Sequence, residues 1–306
     1  MKIITIIFII IVIIGFIVYQ LADRYLIEHV EVQNALSNTV NAAQSSDGSN
    51  PVTTDETYMS DDWNYKSNTK SISIKKVTAG TKTNPIVYYV ADVQLKDASS
   101  LKSAFANNEF GNNITQNTSA IAAENNAIFA INGDYYGFRS DGITIRNGQI
   151  FRDHPARTGL AIYSDGLMKI YHETETSAEE LVKQGVTQTL SFGPALVENA
   201  SAITDFGQVS IDKNFGNRSI QNSNPRTGIG ILSPNHYVFI VVDGRSQESQ
   251  GMTLTEFAKV FEDLGCTVAY NLDGGGSSTM YFMGKVVNNP LGKGQERGVS
   301  DILYIN

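Results

Sequence analysis

The residues best suited to chemistry form the loop Asn271-Leu-Asp273-Gly274-Gly275-Gly276-Ser277-Ser278-Thr279. An apolar run from Cys266 to Leu272 leads straight into it, so Asp273 is expected at the end of a buried strand. Consecutive glycines permit positive φ and close approach of a ligand to the backbone. Successive amides in such a loop can form an anion nest suited to a phosphate, and Ser277, Ser278 and Thr279 add hydroxyl groups. No Gly-Lys-Ser/Thr follows, so this is not a Walker loop.

Three further segments place polar groups at strand ends. Asn132-Gly-Asp134-Tyr135-Tyr136 offers an amide, a carboxylate and two aromatic faces, a combination suited to sugar; its structural alternative is a capped turn. Asn224-Pro-Arg226-Thr227-Gly228 puts an arginine at a strand entry, where its forked N–H groups can grip a phosphate or carboxylate, or form a surface ion pair. Val242-Asp243-Gly-Arg245-Ser246 carries both charges in one turn, although Asp-Gly alone is a common turn. The carboxylates Asp273, Asp243 and Asp134 are thus the catalytic candidates, with Asp273 and Asp243 able to divide acid, base or nucleophile roles in glycosidic cleavage. Arg226 and the amides of Gly274, Gly275 and Gly276 are expected to hold an anionic group. Asn132, Arg245, Thr227, Ser277 and Ser278 complete the candidate binding set.

Other chemistries find less support. His29, His154, His172 and His236 are scattered without metal-ligand spacing, no calcium-loop pattern is present, and Gly-x-Ser-x-Gly does not occur. No metal and no cofactor is expected. Glu256 reads as the partner of Thr253 in a helix-capping box. The single cysteine, Cys266, excludes an intrachain disulfide; it reads as a small core residue, with a catalytic thiol the weaker alternative.

The elements that must position these groups are mostly strands. Ser71–Val77 alternates apolar and polar residues, and Ile86–Leu95 forms a second strand. Asp97 is expected to cap a helix over about 98–106, and Thr118 or Ser119 to open another that ends near Asn125. Asn147-Gly148 and Asp165-Gly166 sit where hairpin turns need positive φ. Capping boxes at Ser177–Glu180 and Thr253–Glu256 open two more helices, the second stopping at Gly265. Pro155-Ala-Arg157-Thr-Gly159 echoes Pro225-Arg226-Thr-Gly228, each entering a strand; a repeat and a chance similarity are both open readings. Hairpins outnumber strand–helix–strand units, which predicts an α+β domain with a mixed, largely antiparallel sheet and a few flanking helices.

The chain has 306 residues, 42% hydrophobic and 18% charged, with net charge −8, which argues against a nucleic-acid partner. Residues Ile3 to Leu21 are apolar and uncharged, and would span roughly 28 Å as a helix. No small-x-small site follows, so residues 1–22 are read as a transmembrane anchor rather than a cleaved signal. Lys2 before the run weakly orients the body outside. Residues 23–68, poor in large apolar side chains over Gln33–Thr57, are expected to be a stalk, and residues 69–306 the folded domain.

Over about residues 70–306 the motifs, in their order, resemble those of the phosphodiester glycosidase family. The matching segments are Asn132–Tyr136, Ser191-Phe-Gly-Pro-Ala-Leu196, Asn224-Pro-Arg-Thr-Gly-Ile-Gly230, Asp243-Gly-Arg-Ser246, Gly251–Ala258, Asn271–Thr279 and Arg297-Gly-Val-Ser-Asp301. Gly133 and Gly228 depart from the alanine or other small residue often expected there. The resemblance implies an enzyme that cuts a sugar-1-phosphodiester at the sugar carbon, such as an N-acetylglucosamine α-1-phosphodiester, with a sugar-phosphate glycan of the cell envelope as partner. The alternatives are a non-catalytic module binding envelope glycan or teichoic acid, an accessory protein of exopolysaccharide synthesis, and a structural domain on a stalk.

Overall fold

Successive residues of the strand His236–Val242 serve two different cores. Tyr237, Phe239 and Val241 enter one apolar cluster, and Val238, Ile240 and Val242 enter another. Side chains alternate across a sheet, so a strand apolar on both faces must be covered on both. In this computed structural model, which describes residues 2–35, 57–211 and 220–306, helices and a second sheet supply the cover.

The larger sheet has nine strands, running from Ser201–Ala202 at one edge through Ala195–Glu198, Val268–Asn271, Arg226–Ser233, His236–Val242, Pro85–Leu95, Lys70–Gly80 and Asn64–Lys66 to Met59–Ser60. A five-stranded sheet orders Lys285–Val286, Met280–Phe282, Phe129–Asn132, Asp301–Ile305 and Lys102–Phe105. Every strand pair in these two sheets is antiparallel, as the hairpin-rich sequence predicts. The main core lies between them: Phe129, Ile131, Leu303 and Ile305 meet Val93, Phe239, Val241 and Leu272. The intervening residues Ala130, Ile302 and Tyr304 turn outward onto the helix Thr118–Glu124.

The outer face of the larger sheet is covered by the helix Leu254–Asp263. It buries Leu254, Phe257, Ala258 and Phe261, the spacing of one helical face. Thr253 and Glu256 cap its start reciprocally, and Gly265 at φ +84° follows its end. Glu256 is thereby assigned to the cap. Phe261 and Cys266 also crowd Gly230. Cys266 is buried there, and burial pushes its thiol up to about 12, as a core residue.

Two expectations are corrected. The helix after Asp97 is a single short turn, Ala98–Ser100; Lys102–Phe105 is instead an edge strand, paired to Asp301–Tyr304. A cross-strand partner remote in sequence overrides the local preference. The segment expected as a stalk also begins against the domain. The apolar helix runs from Lys2 to Tyr25, and His29–Val32 then pairs with Phe110–Asn112. Residues 36–56 of that segment lie outside the described residues, and Met59–Ser60 is already in the larger sheet.

The two glycines at family-atypical positions are required by their neighbours. A Cβ on Gly228 would sit 2.9 Å from the Phe257 ring, and one on Gly133 would sit 2.3 Å from Asp301 Oδ1. Gly228→Ala is therefore expected to destabilise the domain by about 1–3 kcal/mol through overpacking, read as a lower thermal midpoint; an unchanged midpoint would mean the helix Leu254–Asp263 shifts freely.

Candidate functional site

The glycine loop leaves the strand Val268–Asn271 and returns into Met280–Phe282, so it connects the two sheets at their common rim. Asn132 fixes it there. Its Nδ2 donates to the Asp273 carbonyl at 2.7 Å, and its Oδ1 accepts from Thr227 Oγ1 at 2.7 Å and from the Thr279 amide at 3.2 Å. Asn132 is wholly buried, so both Asn132 and Thr227 act on the loop's position rather than meeting solvent.

Each glycine of the loop is an approach point. A Cβ on Gly274 would fall 2.8 Å from the Pro225 carbonyl oxygen; on Gly275, 2.8 Å from Arg245 Nη2; on Gly276, 3.1 Å from Arg297 Cδ. Only Gly275 of the three has positive φ, +64°. Its amide donates to Pro225 O at 2.9 Å, and the Ser277 amide to Gly274 O at 3.2 Å. The loop thus differs from an open nest of three amides: two arginine side chains flank it instead.

Asp273 is the buried acid of this loop. Its Oδ2 accepts from Ser277 Oγ at 2.6 Å and from Arg297 Nη2 at 3.2 Å. Arg297 Nη2 also donates to Ser277 Oγ at 2.6 Å. Burial raises the Asp273 pKa from its ordinary value, against the opposing influences of Arg297, the Ser277 hydroxyl and Arg139. Arg297 is about half exposed, so solvent screens the pair and desolvation prevails. Ser278 Oγ and Thr279 Oγ1 are buried at the same loop without a hydrogen-bond partner among the described residues.

The other two carboxylates are held differently. Asp243 Oδ1 accepts from Asn288 Nδ2 at 3.0 Å and from the Asn289 amide at 2.9 Å. Asn288 also donates to Ser278 O at 3.0 Å, so Asp243 braces the far end of the glycine loop. Burial raises its pKa as well. Asp134 accepts from the Ser191 amide at 2.6 Å and the Tyr135 amide at 2.7 Å, and lies 3.8 Å from the buried Arg146, whose Nε is 2.7 Å from Asp301.

The arginines divide likewise. Arg226 is buried and donates to the carbonyls of Met252, Ile220 and Asn222 at 2.7–2.9 Å. Burial, with Arg245 nearby, lowers its pKa to about 10. These bonds tie surrounding loops together, whereas Arg245, in contact with Asn224 Oδ1 at 3.1 Å, lies against the glycine loop. Of the aromatic faces, Tyr136 is buried, stacked 5.0 Å from Phe110, and only Tyr135 remains near the rim, beneath Arg139. Arg139 also covers the Phe192 ring and donates to Ser191 O at 3.2 Å.

The structure therefore brings together Asp273, Ser277, Gly274–Gly276, Arg245 and Arg297, with Asn132, Thr227 and Asp243 supporting them. Arg297, Arg139 and Asn288 were not among the candidates. Arg297 opens a motif of the family resemblance, which was its only sequence signal; nothing local marks Asn288 or Arg139.

The profile of the phosphodiester glycosidase family matches residues 125–306. The uncharacterized SPbeta prophage-derived protein YomE of Bacillus subtilis (strain 168) is 34% identical over 206 residues, which cover 64% of this chain and 30% of that protein. The chain thus spans less than a third of that relative's length. Among solved structures, the catalytic domain of zebrafish N-acetylglucosamine-1-phosphodiester alpha-N-acetylglucosaminidase, auto-inhibited by its pro-peptide, superposes with a TM-score of 0.59 at 18% identity, covering 78% of this chain and 83% of that one. A hypothetical protein from Synechocystis gives a TM-score of 0.60 at 14% identity, with coverages of 76% and 62%. At such identities the solved structures establish the fold. The family profile spans more than half of the sequence, and the chain belongs to the phosphodiester glycosidase family.

Proposed function

We propose that this chain hydrolyses a sugar-1-phosphodiester at the sugar carbon, on the outer side of a cell membrane, releasing free sugar and a phosphomonoester. N-acetylglucosamine is the first sugar to test, by analogy with the named zebrafish enzyme. The observation that supports this reading is the Asp273 carboxylate, buried yet bonded to Ser277 and Arg297, on a loop flanked by Arg245. The arginines suit a phosphate, and the carboxylate suits the positive charge that develops at the sugar carbon.

The single carboxylate at the loop also fits the leaving group. A sugar departing from another sugar needs a proton, which ordinary glycosidases deliver from a second carboxyl. A departing phosphomonoester is stable as an anion near neutral pH, its second pKa being about 6. Cationic support from Arg297 and Arg245 then replaces much of the work of a general acid. Asp243 is free to brace the loop through Asn288, and Arg226 to tie its surroundings, which reassigns both from direct chemistry to positioning.

Within the apolar N-terminal helix, the 19-residue segment Ile7–Tyr25 is long and apolar enough to cross a membrane, a property shared with signal sequences. We read it as a retained anchor because the backbone that leaves it docks directly on the domain.

Asp273→Asn in the full chain is expected to abolish release of reducing sugar from an N-acetylglucosamine α-1-phosphodiester, and unchanged turnover would remove Asp273 from the chemistry. Calorimetry on the same substrate separates the enzyme from a binding module, for which binding without release is the signature. Arg297→Gln should lower kcat by about 100-fold, the scale for loss of one charge-stabilising donor. Arg226→Gln should instead lower the thermal midpoint, since three backbone carbonyls lose their donor.

The raised Asp273 pKa has a stability consequence. The folded chain holds this proton to higher pH than the unfolded chain, so the contribution is fully present below the unfolded value near 3.8 and is lost as pH rises through the folded pKa. An amide in place of this carboxyl does not titrate. The thermal midpoint of Asp273→Asn relative to the parent should therefore rise as pH increases above about 4; a difference independent of pH would show that burial does not dominate at this carboxyl.

A further inference from the structure

The backbone between the apolar helix and the domain is fixed at several points. Asn113 Nδ2 donates to the carbonyls of Asp23 at 3.1 Å and Ile27 at 2.8 Å. His29–Val32 pairs with Phe110–Asn112, and Glu31 lies 3.5 Å from the buried Arg152. The Ala35 amide donates to Asn108 O at 2.8 Å, and Ala35 is wholly buried. The chain thus meets the domain before residue 36, and the membrane helix joins it through residues 23–35. A helix that crosses a bilayer and ends at Tyr25 leaves this domain at the membrane surface.

A cavity of about 660 Å³ opens at that junction, between residues 23–29 and the loop 137–141. Arg24, Arg139 and Arg157 line it, opposed by Asp23 and Asp141, so three arginines face two carboxylates there. A phosphodiester carries one negative charge. The cavity shares a wall with the catalytic side: Arg139 lies over Tyr135 and Phe192, and Ser191, whose carbonyl it binds, donates its own amide to Asp134. Arg139 is also close enough to Asp273 to act on its charge. On the membrane side, Leu26 is 78% exposed, and exposed apolar residues of the helix lead up to it from Ile7.

We propose that this cavity receives the sugar-phosphate headgroup of a lipid in the same leaflet, so that the substrate is a sugar-1-phosphate ester of a membrane-embedded alcohol. This rests on the phosphodiester glycosidase reading and on retention of the helix. The polar, arginine-lined cavity draws the headgroup in from the membrane side towards Asp273, where Arg245 and Arg297 meet the phosphate, and the hydrocarbon stays in the bilayer beside the helix. In the reaction, water adds its oxygen to the sugar carbon and the bond from that carbon to the phosphate oxygen breaks. The phosphate keeps the electron pair, the water's proton is released, and the products are free sugar and a lipid phosphomonoester.

The test uses the full chain reconstituted in phospholipid vesicles. Two probes share one N-acetylglucosamine-1-phosphate headgroup: an isoprenoid diester carrying a photoreactive diazirine on the sugar, and a water-soluble methyl diester. Ser140, exposed on the loop that lines the cavity, is replaced by tryptophan to fill it; Arg24→Glu is the second variant. Cross-links are expected in peptides containing residues 23–29 and 137–141. The parent should favour the isoprenoid diester by about tenfold or more in kcat/KM, the scale of one good contact. Ser140→Trp and Arg24→Glu should erase that preference and the cross-links, with the methyl diester, which shares the headgroup, losing less than the isoprenoid diester. Equal turnover of the two diesters by the parent, or cross-links confined to residues 7–22, would overturn the proposal. Mapped cross-links without turnover of either diester would uphold the headgroup site and overturn the glycosidase reading instead.

Discussion

The side-chain amide of Asn132 is the contact on which the rest of the site depends. It ends a strand of the smaller sheet, and three of its hydrogen bonds reach a strand of the larger sheet and both arms of the glycine loop. It is wholly buried, where an unmatched amide costs about 1–3 kcal/mol. Moving either sheet relative to the other breaks several of these bonds at once. The carboxylate of Asp273 is therefore carried on a rigid crossing point rather than on a free loop, and its burial is enforced by the core beneath it.

A second buried polar assembly stands behind the first. Arg146 bonds Asp301 through Nε and the Thr189 carbonyl through Nη1, while Asp301 accepts the amide of Asp134 at 2.8 Å. Asp134 in turn receives the Ser191 amide and so orients the turn that carries Phe192. Buried ions demand such matching, and removing one partner leaves an uncompensated charge. The close approach of Gly133 to Asp301 follows, because the chain must pass directly over that carboxylate. Asp134, Asp243 and Asp301 each accept a backbone amide and so brace the framework around Asp273.

The positions of the two anchors matter at a larger scale. The helix at the N-terminus and the rim of the candidate site are joined by Arg139 and by the pairing of His29–Val32. Strand pairing and backbone bonds to Asn113 make that junction far stiffer than a polar linker would be. The placement of the apolar helix against the domain is thus a property of the fold, set by the short connection from Tyr25 to His29.

Much of the architecture was legible from local patterns. The capping box at Thr253, the turn at Asn147-Gly148 and the strand into Asp273 depend on neighbours within a few residues, and each appears where the sequence places it. The apolar helix follows from composition alone. The roles of Asp243, Arg226 and Tyr136 did not follow, because a carboxylate, a guanidinium or a ring at a strand end reads the same whether it faces substrate or backbone. Only tertiary contact decided that Arg226 serves three carbonyls while Arg297, distant in sequence, reaches Asp273. The same holds for the edge strand Lys102–Phe105 and for the docking of His29–Val32, whose hydrogen-bond partners lie far along the chain. Sequence fixes side-chain chemistry and short-range backbone preference; which polar groups are left for a ligand depends on which are consumed by long-range pairing.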